Sequence, residues 1–132
     1  MGQWLLVRQK STGKAEPEKI YKGVGAMKAI TIREPWASMI ADGKKMIEVR
    51  TWKTRHRGKL LLCAGKRKPG PLAGLAFAVA DLADVRPLRP TDRNKTGGIF
   101  IPGAYAWVLS NIKKIQPFPA RGWPGIFDHP IN

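Results

Sequence analysis

The sequence predicts an α+β, mainly β fold: a small mixed β-barrel with a short helix, about residues 35–42, at its mouth. Three observations lead there. Short apolar segments with strand alternation recur between Gly- and Pro-rich turns. Only one segment shows clear helical spacing. The chain of 132 residues, 43% hydrophobic, suits one domain with a single modest core.

The elements follow in order. Residues 1–26 read as an N-terminal extension, with Ser11, Thr12, Gly13, Pro17, Gly23 and Gly25 among charges and no sustained periodicity. It is either a flexible arm or a tail that docks Trp4 on the domain, residues 27–132. Lys28 to Ile32 is a strand. Pro35 suits the first turn of a helix, where its missing N–H is not needed. Trp36, Met39 and Ile40 then fall on one helical face, and Gly43 is a natural cap. From Gly43 to Gly58 the middle reads as a half-buried strand. Side chains alternate across a strand, so Met46, Glu48, Arg50 and Trp52 share one face. Ile47, Val49 and Thr51 share the other, toward a core.

Lys59 to Ala64 is a more continuous apolar strand. Gly65 to Pro71 is a basic turn, and about Ala73 to Val85 is favoured as a strand over a helix because Gly74 breaks a helix start. Arg86 to Gly103, with three Pro and three Gly, reads as a long loop. Ala104 to Ile112 is a strand with Tyr105, Trp107 and Leu109 on one face. The tail from Lys113 reads as irregular, with short edge strands at most.

The charge narrows the partners. Lys and Arg number 24 against 9 Asp and Glu, a net +15 with pI near 10.6. Such a field attracts polyanions, nucleic acid before an anionic membrane. Residues 27–132 carry most of it. No apolar run is long enough for a transmembrane helix, and Met1 to Thr12 lacks the pattern of a signal peptide. The single cysteine, Cys63, excludes an internal disulfide and a multi-cysteine zinc site, and fits a reducing, cytoplasmic setting. Asp81, Asp84, Asp92 and Asp128 are scattered, so no metal site is expected. No phosphate-binding glycine pattern is present and no cofactor is expected.

Four ordered segments carry a family resemblance. Gly43-Lys44-Lys45-Met46-Ile47-Glu48-Val49-Arg50 matches the GxKxxExR signature of the ASCH (activating signal cointegrator homology) domains. Lys28 to Ala37, Thr51 to Gly58 and Ala104 to Leu109 resemble small bacterial and phage members. The resemblance spans about Met27 to Phe127. It implies a PUA-like barrel with the signature beside a cleft that takes RNA or a nucleoside. The family includes domains of transcription coactivators, nucleic-acid binders, ribonucleases, and amidohydrolases that deacylate acetylated cytidine. In the amidohydrolases the signature Lys is catalytic and a Thr is the proposed nucleophile. Lys45 matches, but Glu48 stands where that Thr would be, which counts against the amidohydrolase mechanism.

By spacing alone, Lys45, Glu48 and Arg50 form a strand-face ion pair, worth about 0–1 kcal/mol if exposed. The cleft that the resemblance implies turns the reading toward function. Arg50 is a planar fork suited to phosphate or a base edge. Glu48 would accept from an exocyclic amine, orient Arg50, or act as a general base. Between Lys44 and Lys68 there are ten basic residues and one acid. That ratio is too lopsided for a solvated face, so Lys53, Arg55, Arg57, Lys66, Arg67 and Lys68 are read as a phosphate track, with Lys44 a further nucleic-acid-binding candidate at the entrance of the strand face. Trp52 is either a stacking platform for a base or a cap on the barrel. Trp36 and Trp107 are expected in the core, and Trp123 is open between the two roles. His56 is most simply a surface residue of the basic turn. In a ribonuclease it would be the base toward a ribose 2′-hydroxyl, with Lys45 and Glu48 the other catalytic candidates.

The reading is therefore a monomeric binder of RNA or single-stranded nucleic acid, with no membrane partner. The alternative is an enzyme on RNA or a modified nucleoside, either a metal-independent ribonuclease or an amidohydrolase.

Overall fold

Eight strands, two short helices and a 3-10 turn make up the computed structural model, which describes residues 5–11, 14–21 and 26–130. Strands β1 (Leu5–Ser11) and β2 (Lys14–Tyr21) form an antiparallel hairpin within the N-terminal extension. Periodicity gave no sign of it. Here backbone pairing makes the strands, and Pro17 is tolerated because β2 lies at the edge of the sheet. Trp4, the candidate docking residue, lies outside the described residues.

Strand β3 (Ala26–Ile32) leads into helix α1 (Trp36–Ala41). Helical spacing buries Ala37 and Ile40, and Gly43 follows the helix at φ +77°, a left-handed turn that glycine adopts without strain. Strand β4 (Ile47–Arg50) is short, and β5 (Gly58–Ala64) and β6 (Leu75–Pro87) follow. The 86–103 segment is not all loop. It holds a 3-10 turn (Pro90–Asp92) that runs into helix α2 (Arg93–Thr96). Asp92 nucleates it: its carboxylate takes the Arg89 amide at 2.8 Å and both terminal nitrogens of Arg86, at 2.8 and 2.9 Å.

Strand β7 (Tyr105–Pro119) is longer than predicted and is the spine of the sheet. Its first half pairs with β4, Tyr105 to Val108 opposite Arg50 to Ile47. Ile115, further along, pairs with Val7 of β1. Its other side pairs with β6 throughout. Asn111, at φ +51°, falls within the register shift between Val79 and Asp81 of β6. Pro117 falls within the register shift between Ala76 and Ala78, where the ladder is interrupted. Strand β8 (Ile126–Pro130) closes the order β2-β1-β7-β6-β5-β3-β8, with β3 parallel to β5 and antiparallel to β8.

The architecture is mainly β, as expected, but the sheet is not hydrogen-bonded shut. Among the described residues no strand pairing joins β4 to β3 or β8. β8 runs out opposite Ile30, and β4 is only four residues long. The seam is spanned instead by a side chain, Arg50, described below.

Both faces of the sheet are packed. Ile30, Ile32, Leu60, Leu62, Phe77, Leu82, Trp107 and Leu109 meet Ala37 and Ile40 of α1 on one face. Met27, Ala29, Leu61, Cys63, Ala76, Val79 and Ile115 cluster on the other. This is why β5 reads as a continuous apolar run and not as an alternation. Cys63 is fully buried, and burial pushes its thiol up to about 12. Ile47, Leu88, Ala104 and Ala106 form a third cluster, joined by Val49, so Ile47 and Val49 face a core as expected, whereas Thr51 lies past the end of β4 and is exposed.

Candidate nucleic-acid interface

The alternation of β4 sets Glu48 and Arg50 side by side. Arg50 donates to Glu48 Oε2 through Nε at 3.1 Å, with its terminal nitrogen at 2.9 Å from the same oxygen. That terminal nitrogen also donates to the Thr31 carbonyl at 2.7 Å. Thr31 lies one residue beyond the last β3–β8 pair, so Arg50 occupies the position of a missing strand bond across the seam.

Lys45 sits beneath this pair. It is 1% exposed, and its ammonium donates to the Thr96 carbonyl at 2.9 Å and lies 3.5 Å from Glu48 Oε1. Trp36 covers it, with the ammonium 5.5 Å from the ring centroid. Burial pushes the Lys45 pKa below its ordinary value; the Glu48 carboxylate opposes that, and the Arg50 charge adds to it. Lys45, Glu48 and Arg50 are thus one connected group. Lys45 is enclosed within it and ties β4 to α2, while Glu48 and Arg50 reach the surface of a cleft.

That cleft, about 1020 Å³, opens beside the seam. Its walls are the start of α1, the basic turn after β5, and the loop between β7 and β8. They contribute Arg33 and Trp36, Lys66 and Arg67, and Arg121 and Trp123 respectively. Five cationic side chains therefore line it, counting Arg50, and its one acid, Glu48, is already paired. Arg33, Lys66 and Arg67 have side chains with no ion pair or hydrogen bond among the described residues. Each stays available to an anionic ligand.

The basic turn is held from below by Glu34, a buried acid just before α1. Its carboxylate accepts from the Leu72 amide at 2.9 Å and from the Ser38 amide and hydroxyl, both at 2.8 Å. Burial pushes this carboxyl upward, but the hydrogen bonds from Leu72 and Ser38 prevail and hold it below its ordinary value. Gly70 passes so close that a Cβ there would lie 2.6 Å from the carboxylate. The loop between β7 and β8 is pinned too. The Ala120 amide donates to the Gly74 carbonyl at 3.1 Å, and the Trp123 amide to the Thr31 hydroxyl at 3.2 Å.

The other sequence candidates stand outside the cleft lining. Lys44, Lys53, Arg55, Arg57 and Lys68 are exposed. Arg57 braces its own turn by donating to the Thr54 and His56 carbonyls at 2.8 and 2.9 Å. Lys53 lies over Tyr105, 6.0 Å from the ring centroid. Trp52 is 37% exposed; its ring meets Trp107 edge-on at 4.7 Å, and its carbonyl accepts from the Trp107 indole. His56 Nε2 is 2.9 Å from the Lys59 carbonyl, which fixes a proton on that nitrogen. Glu48 lines the cleft and His56 does not, so the residues proposed for a nuclease are not gathered in it. Among the described residues no three His, Cys, Asp or Glu side chains are placed to hold a metal ion.

Sequence reasoning missed Arg33 and Arg121, which come from segments far apart in the chain. It left Trp123 open, and it put Trp36 in the core; Trp36 does pack against the main core cluster, but it is only half-buried and also lines the cleft wall. Trp107 is fully buried, as expected.

Known proteins resemble part of this chain. Over 56 residues the chain is 34% identical to Activating signal cointegrator 1 of Homo sapiens and 32% identical to that of Mus musculus. The shared stretch is 42% of this chain and 10% of either relative, so the chain spans about a tenth of their length. The family model described as the ASCH domain matches residues 30–119, more than half of the chain and every wall of the cleft except the β7–β8 loop, and the chain belongs to the ASCH domain family.

Proposed function

We propose that this ASCH domain binds RNA or other single-stranded nucleic acid in the cleft beside Glu48 and Arg50. The observation that carries the reading is the cleft's charge balance: Arg33, Lys66, Arg67 and Arg121 face it without a carboxylate partner, and the one acid is neutralised from within. Phosphate oxygens are the natural complement of such a surface. Arg50, fixed by Glu48 and the Thr31 carbonyl, gives the floor a rigid donor. The exposed Lys53, Arg55, Arg57 and Lys68 extend the positive field beyond the cleft and steer a polyanion toward it.

The test is a salt titration of binding to labelled single-stranded RNA, duplex RNA and single-stranded DNA. Affinity should fall steeply with salt, by about 0.7 log unit per neutralised phosphate for each log unit of salt on a single strand. A quadruple charge removal (Arg33, Lys66, Arg67 and Arg121 to Ala) should abolish binding while the fold survives. Undiminished binding by that protein would refute the cleft as the site.

A further inference from the structure

Trp123 is the least expected residue of the cleft, and its setting is specific. It is 49% exposed, the most of any large hydrophobic residue among the described residues. The Arg121 guanidinium lies over its ring, 4.2 Å from the centroid. One face of the indole is therefore backed by a cation while half of the residue stays in solvent. The backbone beneath cannot easily shift. The Trp123 amide is bonded to the Thr31 hydroxyl. At Gly122 a Cβ would come within 2.9 Å of the Thr31 side chain, so the loop lies directly on β3. Gly125, at φ +67°, then turns the chain into β8. An exposed indole fixed in this way loses little freedom when something stacks on it.

Lys66 and Arg67, on the turn held by Glu34, line the same cleft. A nucleotide offers the matching pair of features, a flat base and a phosphate. The geometry points to Trp123 as a stacking platform for one unpaired base, with Lys66 and Arg67 taking the adjoining phosphate; the ligand class is a strand with an accessible base face, not a paired duplex. This inference rests on the nucleic-acid reading above and sharpens it. A base within a duplex already has both faces stacked and cannot offer one to the indole without being extruded. Arg121 acts from behind the ring, as a positioning residue that holds the platform.

The test compares three probes of equal length: a single-stranded oligouridine, an abasic oligonucleotide, and a duplex RNA. Wild-type protein should bind oligouridine about tenfold or more tighter than the abasic strand, with quenching of indole fluorescence. Trp123→Ala should erase that difference. Trp123→Phe should keep part of it, which separates stacking from a folding defect. Equal affinity for oligouridine and the abasic strand, or a Trp123→Ala protein that still discriminates between them, would overturn the platform while leaving phosphate binding intact. No binding to any probe would overturn the broader reading and the platform with it.

Discussion

The two sides of the cleft use charge in opposite ways. On the β4 side, Lys45, Glu48 and Arg50 are bonded to one another and to the Thr96 and Thr31 carbonyls, and their charge is spent inside the protein. On the far side, Lys66 and Arg67 are exposed, and only the backbone that carries them is fastened. The lesson is that a signature motif and the unpaired cations beside it are separable. The motif residues build the floor and the seam, while the residues free to meet a ligand sit on turns that the motif does not include.

This contrast can be broken or sharpened by mutation. The largest effect is expected at the buried pair. Glu48→Ala leaves the Lys45 ammonium enclosed without its counter-charge and should lower the unfolding free energy by about 3–5 kcal/mol in denaturant titrations. A loss under about 1 kcal/mol would mean that Lys45 is not dependent on Glu48, and the two sides would differ less than argued. Next comes Gly70→Ala, whose Cβ would strike the Glu34 carboxylate. It should cost about 1–3 kcal/mol and weaken RNA binding by displacing Lys66 and Arg67. Unchanged stability with unchanged binding would show that the turn is not held by Glu34.

Acid titration gives a smaller effect. The Arg86 fork, with help from the Arg89 amide and against the pull of burial, holds the Asp92 carboxyl down to about 2, below its ordinary 3.8. The pair therefore stabilises the fold fully above 3.8, and that contribution is lost as the pH falls through about 2. Glu34, also lowered, adds to the same acid limb. Asp92→Asn should remove about 1–2 kcal/mol at neutral pH and flatten the stability profile below pH 4; an unchanged profile would disprove the assignment. The smallest effect on folding belongs to the open side. Lys66→Ala and Arg67→Ala should each leave stability within about 0.5 kcal/mol and reduce the salt dependence of RNA binding by about one phosphate. Loss of stability in either variant would mean that the far side, too, is structural.

Much of this was legible from residue spacing, and the failures share a cause. The pairing of Glu48 with Arg50 follows from strand alternation, a local property. The helix and Gly43 follow from equally local signals. Lys45 was visible as a motif residue, but its burial depends on α2, and that segment reads as a loop until Asp92 meets Arg86. Arg33 and Arg121 reach one cleft because the loop after β7 crosses back to β3, which β8 then pairs with. No spacing rule carries that information. Closure of the barrel also failed to follow from strand content, because closure is decided by how far β4 and β8 run past their last partners.

The lone thiol in the middle of β5 makes this molecule its own unfolding reporter. Cys63 has no accessible surface and resists ionisation, so an alkylating reagent can reach it only when the surrounding strands part. One modification therefore counts one opening event, read by intact mass with no added label. Because the one cysteine of the sequence is buried, a second Cys placed on the exposed turn near Lys68 would accept a dye selectively in the native state. Cleft occupancy and core opening could then be followed in the same sample.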